Sequence, residues 1–153
     1  MKKIFLFLVV VIGLSACAND KTSSTNTATK RENISNKNIE LVNQYFEYLN
    51  KHDWEKMTEM YSNVADFKDP SLGNGIVKQT RLATSAKYQE LVMEFPDLKR
   101  EVLKKTVSDE NTVVVDLIAT GTAKDGTKMK LPMQTIFTFQ NGKIIKDFST
   151  HNK

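Results

Sequence analysis

Hydrophobic residues recur along this chain with changing rhythm. An almost unbroken apolar run from Ile4 to Leu14 comes first, followed from Ala18 to about Lys37 by Asn, Asp, Lys, Thr and Ser with hardly an apolar side chain. Ile39, Val42, Phe46 and Leu49 then return at helical spacing, which predicts an amphipathic helix ending near Asn50-Lys51-His52. Asp53 is placed to cap a second, short helix carrying Trp54, Met57, Met60 and Tyr61. A short strand is expected over Val64 to Lys68, closed by Asp69-Pro70 and the turn-rich Ser71-Leu72-Gly73-Asn74-Gly75. A third helix is predicted from about Val77 to Glu94, with Tyr88, Leu91, Val92 and Phe95 on one stripe, and Pro96 stops it.

Beyond Pro96 the period changes to two. Strands are predicted near Leu98 to Val107, Thr112 to Thr122, Lys128 to Phe139 and Lys143 to Thr150. Asp125-Gly126 and Asn141-Gly142 are hairpin signals, so the strands should form an antiparallel meander. Helices followed by strands make an α+β domain. Val113 to Ala119 is apolar on both faces, so both sides of the sheet need cover. Three helices serve one side; the other must meet a cavity, a partner chain or both, and a symmetric homodimer is the default.

The first seventeen residues change the picture of where this domain works. Lys2 and Lys3 precede the apolar run, which is too short to span a bilayer comfortably, and small residues lead to the single cysteine, Cys17. Leu14-Ser15-Ala16-Cys17 resembles the bacterial lipobox, which implies cleavage before Cys17, acylation of its thiol and amine, and stable anchoring by two or three chains. The alternative is an ordinary secretory peptide. The chain then divides into a signal peptide (1–16), a lipidated cysteine with a disordered polar tether (17–37) and one domain (38–153). The expected location is the bacterial cell envelope, outside the cytoplasm.

Charge adds little. Of 153 residues, 22 are Lys or Arg and 18 Asp or Glu; without Lys2 and Lys3 the excess is +2, and the lysines are scattered among acids. No nucleic-acid footprint is expected. With Cys17 modified and His52 and His151 the two histidines, no metal site and no cofactor are expected either. Met57, Met60, Met93, Met129 and Met133 read as core filler.

The succession of helix, Asp-Trp helix, short strand, Asp-Pro, long helix and curved sheet resembles the cone-shaped fold shared by nuclear transport factor 2, ketosteroid isomerases and SnoaL-like polyketide cyclases. Gln44 through Asp53-Trp54 and Met60-Tyr61 to Asp69-Pro70 is similar to the opening of ketosteroid isomerases. Phe95-Pro96-Asp97-Leu98, Gly121-Thr122 and Phe139-Gln140-Asn141-Gly142-Lys143-Ile144 are similar to the second half of SnoaL-like domains. The resemblance implies a cone of three helices and four main strands. The fold hosts enzymes, binding modules and adaptors alike.

Asp69 shares a strand face with Phe67, surroundings that should raise its pKa and suit a general base. The resemblance also matches it to the isomerase base, while the plain reading is a turn residue ahead of Pro70. Tyr45 matches the isomerase tyrosine that donates to an oxyanion; otherwise it is a core tyrosine. The companion acid of the isomerases falls on Thr135. The cyclase aspartate after the last aromatic falls on Ser149, with Asp147 and His151 on the same alternation as displaced candidates. Asp116 interrupts an apolar strand, as a pocket group or as a structural acid paired with Lys128 or Lys130. The candidate catalytic residues are therefore Asp69 and Tyr45, expected in one cavity, and the candidate pocket is Phe67, Asp116, Thr135, Phe137 and Ser149. The preferred function is a surface receptor for a small apolar molecule. The alternatives are a cofactor-free isomerase, cyclase or hydrolase, and a protein-binding adaptor.

Overall fold

A computed structural model of the chain describes residues 22–151. The apolar run from Ile4, Cys17 and the start of the polar segment lie outside the described residues. The elements are α1 (Thr22–Asn50), α2 (Trp54–Glu59), β1 (Tyr61–Lys68), a 3-10 turn (Pro70–Leu72), β2 (Val77–Thr80), α3 (Arg81–Glu94), β3 (Lys99–Asp109), β4 (Thr112–Thr122), β5 (Lys128–Gln140) and β6 (Lys143–His151).

Three expectations are corrected. The polar segment from Thr22 is helical where its composition predicts an unstructured tether. It contains no Gly or Pro, and a helix already nucleated by its packed end extends at one hydrogen bond per residue. Val77–Thr80, read as the first turn of the third helix, is instead a strand paired antiparallel with β1, and the Thr80 hydroxyl accepts from Ala83 N (3.2 Å) to start α3. Tyr61, read as the end of the second helix, opens β1.

These strands enlarge the sheet. It has six strands in the order β2-β1-β6-β5-β4-β3, with β1 parallel to β6 and the four C-terminal strands in the expected meander. Asn141 (φ 52°) and Gly142 (φ 74°) both take the left-handed conformation that a tight two-residue hairpin requires. The order of three helices and a curved mixed sheet is the cone-shaped α+β fold expected from the sequence.

Alternation along the strands locates the core. Val113, Val115, Leu117 and Ala119 of β4 and Met133, Thr135, Phe137 and Phe139 of β5 are buried, together with Val42, Tyr45, Phe46 and Leu49 of α1. The opposite face carries the cross-strand row Val114, Ile136 and Phe148, which stays half-buried. At the C-terminal end of α1, the Asn50 side chain donates to Arg100 O (3.0 Å) and accepts from Arg100 N (2.8 Å). This pair fixes the start of β3 and so the position of the Arg100 side chain.

Candidate functional site

A cavity of about 630 Å³ lies between α3 and the sheet. Leu72, Leu91, Leu98, Met129, Leu131 and Met133 supply its apolar lining, and Asp69, Lys87 and Arg100 its charged groups. Ala83, Ala86, Glu90 and Glu94 on the outer turns of α3 are exposed and mark the mouth.

Asp69 lines this cavity, and its carboxylate is already engaged. Its carboxylate receives Lys87 Nζ at 2.6 Å, Ser71 N at 2.8 Å and Ser71 Oγ at 2.7 Å. Burial pushes its pKa up, but the Lys87 charge and the Ser71 donors outweigh burial and hold it below the usual carboxylate value. The expected raised pKa is therefore corrected: Asp69 is an ionised acid that caps the 3-10 turn. What the sequence could not show was Lys87, eighteen residues away on α3.

Tyr45 is not among the residues that line the cavity with Asp69. It is fully buried, and it belongs to a polar chain sealed inside the core. Tyr61 Oη donates to Asp147 Oδ2 at 2.5 Å and lies 3.1 Å from Tyr45 Oη, which lies 3.1 Å from Tyr88 Oη. From the other side, Ser149 Oγ donates to Asp147 Oδ1 (3.3 Å) and pairs with Thr135 Oγ1 (2.9 Å). With one proton per hydroxyl, the donors run Tyr88 to Tyr45 to Tyr61 to Asp147 and Thr135 to Ser149 to Asp147, so both arms end on one carboxylate. Burial raises the pKa of Tyr45 and Tyr61, which keep their protons.

Asp147 is 4% exposed. Burial raises its pKa, and the Tyr61 hydrogen bond and the Arg100 charge only partly offset that. The folded protein therefore binds the Asp147 proton more tightly than the unfolded chain does. The resulting stabilisation is present in acid and is lost as pH rises from the unfolded value of about 3.9 through the folded one. Asp147→Asn should remove this dependence. Its melting temperature relative to wild type should shift in the variant's favour as pH rises above about 4, and a difference that does not change with pH would contradict the assignment. Asp69, held low, acts in the opposite sense, losing its contribution as pH falls through its folded pKa.

The remaining candidates divide between the faces of the sheet. Phe67, Thr135, Phe137 and Ser149 are buried in the core layer next to the cavity, not among its lining residues. Asp116 is on the other face, where it accepts from Gln134 Nε2 at 2.8 Å rather than from Lys128 or Lys130, so its assignment to a pocket is corrected. The register explains this, because Asp116 and Gln134 are directly opposite on β4 and β5 and point away from the buried Val115 and Thr135. His151 lines the cavity near its exposed edge.

Sequence reasoning missed Arg100. It alternates with Leu98 and Val102 on an apolar strand face, which was the available signal. Its guanidinium lies 5.4 Å from the Tyr88 ring, which also stacks on Trp54. Its pKa is shifted up: burial opposes the charge, but the surrounding tyrosines and Asp147 favour it, so Arg100 is a buried permanent cation. Among the described residues, no three His, Cys, Asp or Glu side chains gather as metal ligands do.

Comparison with solved structures returns the same fold. The chain is similar to SalBIII, an epoxide hydrolase/cyclase-like enzyme described in pyran ring formation in the polyether salinomycin (24% identity, 82% of this chain and 92% of that one, TM-score 0.64). A protein from Jannaschia sp. CCS1 described as a SnoaL-like polyketide cyclase has 23% identity over 78% of this chain and 88% of that one, with TM-score 0.65. A protein of ketosteroid isomerase-like fold from Catenulispora acidiphila, solved with trimethylamine, has 15% identity over 72% and 84%, with TM-score 0.64. At these identities the likeness is one of fold. No curated protein sequence matches this one. The model of the SnoaL-like domain family matches residues 42–146, from the buried face of α1 to the strand that carries Asp147, and the chain belongs to that family.

Proposed function

We propose that this protein is a bacterial lipoprotein, held in the cell envelope by acylated Cys17, whose SnoaL-like domain binds a small, largely apolar molecule in the cleft between α3 and the sheet. The observation that carries the ligand reading is the cavity itself: about 630 Å³, with six large apolar side chains and a few polar groups on its walls, is the size and character of a small-molecule site. A relative that takes part in pyran ring formation in a polyether supports a guest of mixed apolar and oxygenated character.

Binding without turnover fits the acids better than catalysis does. Asp69 faces the cavity but is neutralised by Lys87, and Asp147 has the raised pKa of a general acid or base but is closed off within the core. The half-buried apolar row Val114, Ile136 and Phe148 supports a symmetric dimer formed through the sheet, which leaves the cleft on the opposite face free.

Calorimetric titration with a neutral aromatic probe, 1-naphthaleneacetamide, tests the site. Ala86→Trp, on the exposed wall of α3, should leave the fold intact, block the mouth and weaken binding by about tenfold or more. Equal binding by wild type and Ala86→Trp would contradict the proposed site.

A further inference from the structure

Burying a guanidinium is costly unless its charge and its N–H donors are satisfied. Arg100 is 7% exposed, and its Nε has no hydrogen-bond partner. None of the ion pairs among the described residues involves it. The nearby acids are already engaged: Asp69 with Lys87 and Ser71, Asp147 with Tyr61 and Ser149. What Arg100 does have is a backbone clamped by Asn50, a ring contact with Tyr88, and a place on the cavity wall with Leu98, Ala119, Leu131 and Met133. A planar cation, pre-positioned, short of a partner and set in an apolar wall, is built to receive a planar anion.

We infer that the molecule bound in this cleft carries a carboxylate or a comparable planar oxyanion, and that Arg100 receives it while the apolar body lies against Leu91, Met129 and Leu131. The inference rests on the cleft being the binding site and adds the chemical class of its guest. Lys87 does not compete for the role, because its charge is taken by Asp69. Glu90 and Glu94 at the mouth are exposed, so solvent and salt screen their repulsion, whereas Arg100 acts from a buried position where screening is weak. Asp147 accepts from Tyr61 and Ser149 and forms no ion pair with Arg100, which leaves the guanidinium N–H donors available to a ligand.

The test uses a pair of probes of one shape, 1-naphthaleneacetate and its neutral amide, titrated calorimetrically into wild type, Arg100→Met and Arg100→Gln near neutral pH. Wild type should bind the carboxylate about tenfold or more tightly than the amide. Both variants should lose that preference while binding the amide within about threefold of wild type, since an apolar or neutral side chain of similar length can replace a buried ion without loss of packing. Circular dichroism melts identify the variants that fold, and two substitutions keep the comparison available if one does not. Amide binding with no carboxylate preference in wild type, or a preference that survives loss of the guanidinium, would overturn this inference and leave the cleft intact as a site. Failure of both probes to bind wild type would overturn the cleft reading and this inference with it.

Discussion

Serine in place of Cys17 should leave the protein in the soluble fraction of disrupted cells, with nearly all of the membrane-bound form lost. The reasoning is one of length and chemistry. The run Ile4 to Leu14 is about half of what a membrane-spanning helix needs, so it is not expected to substitute for an acyl anchor. One acyl chain binds a bilayer only marginally, and the lipobox pattern supplies two or three on one residue. Without the thiol no diacylglycerol is attached, and the later acylation of the amine has no site. Fractionation together with mass spectrometry of the mature N-terminus measures both steps. Membrane retention of Cys17→Ser with an acylated mature form would contradict the anchoring proposal.

In the same unlipidated background the domain should sediment as a dimer at micromolar concentration, and Ile136→Glu should convert it to a monomer. Ile136 lies at the centre of the row that crosses β4, β5 and β6, opposite Val114 on one side and Phe148 on the other. In a two-fold interface each copy brings the same row, so one substitution places two carboxylates in the contact, and burying unpaired charge costs several kcal/mol, roughly the loss of a factor of a thousand or more in association. The side chain is half-buried, on the face of the sheet opposite the core, so the fold should survive the change. A wild-type monomer under these conditions, or an Ile136→Glu dimer, would contradict assembly through this face.

The meander of β3 to β6 was legible because the period of two runs through its strands and two of its three turns, β4–β5 and β5–β6, carry Gly at a positive φ (Gly126 and Gly142). The Asp53 cap of α2 was legible for the same local reason, with Asp53 accepting from Lys56 N. The expectations that failed are those decided by tertiary pairing. Val77-Lys78-Gln79-Thr80 suits a helix start or a strand, and pairing with β1 settled it as a strand. The polar segment from Thr22 lacks an apolar face, yet it extends a helix whose other end is packed.

At the site, the positions of Asp69 and Tyr45 suggested one catalytic pair because a family pattern joins them. In this chain Lys87 neutralises the first, and the tyrosine cluster with Asp147 buries the second. Asp147 itself was visible as an acid on the inward alternation of the last strand. Tyr61 and Tyr88 were not recognisable as its network, since hydroxyl contacts across 86 and 43 residues leave no mark in local spacing.

The central claim, that the cleft between α3 and the sheet holds a small and largely apolar molecule, is tested most directly by crystallising the protein purified from its own cells without added ligand. Electron density for a small molecule lying along Leu91, Met129 and Leu131, with its polar end toward Arg100, is the predicted result. A cleft filled only by ordered water, or closed by α3 resting on Leu131 and Met133, would contradict it.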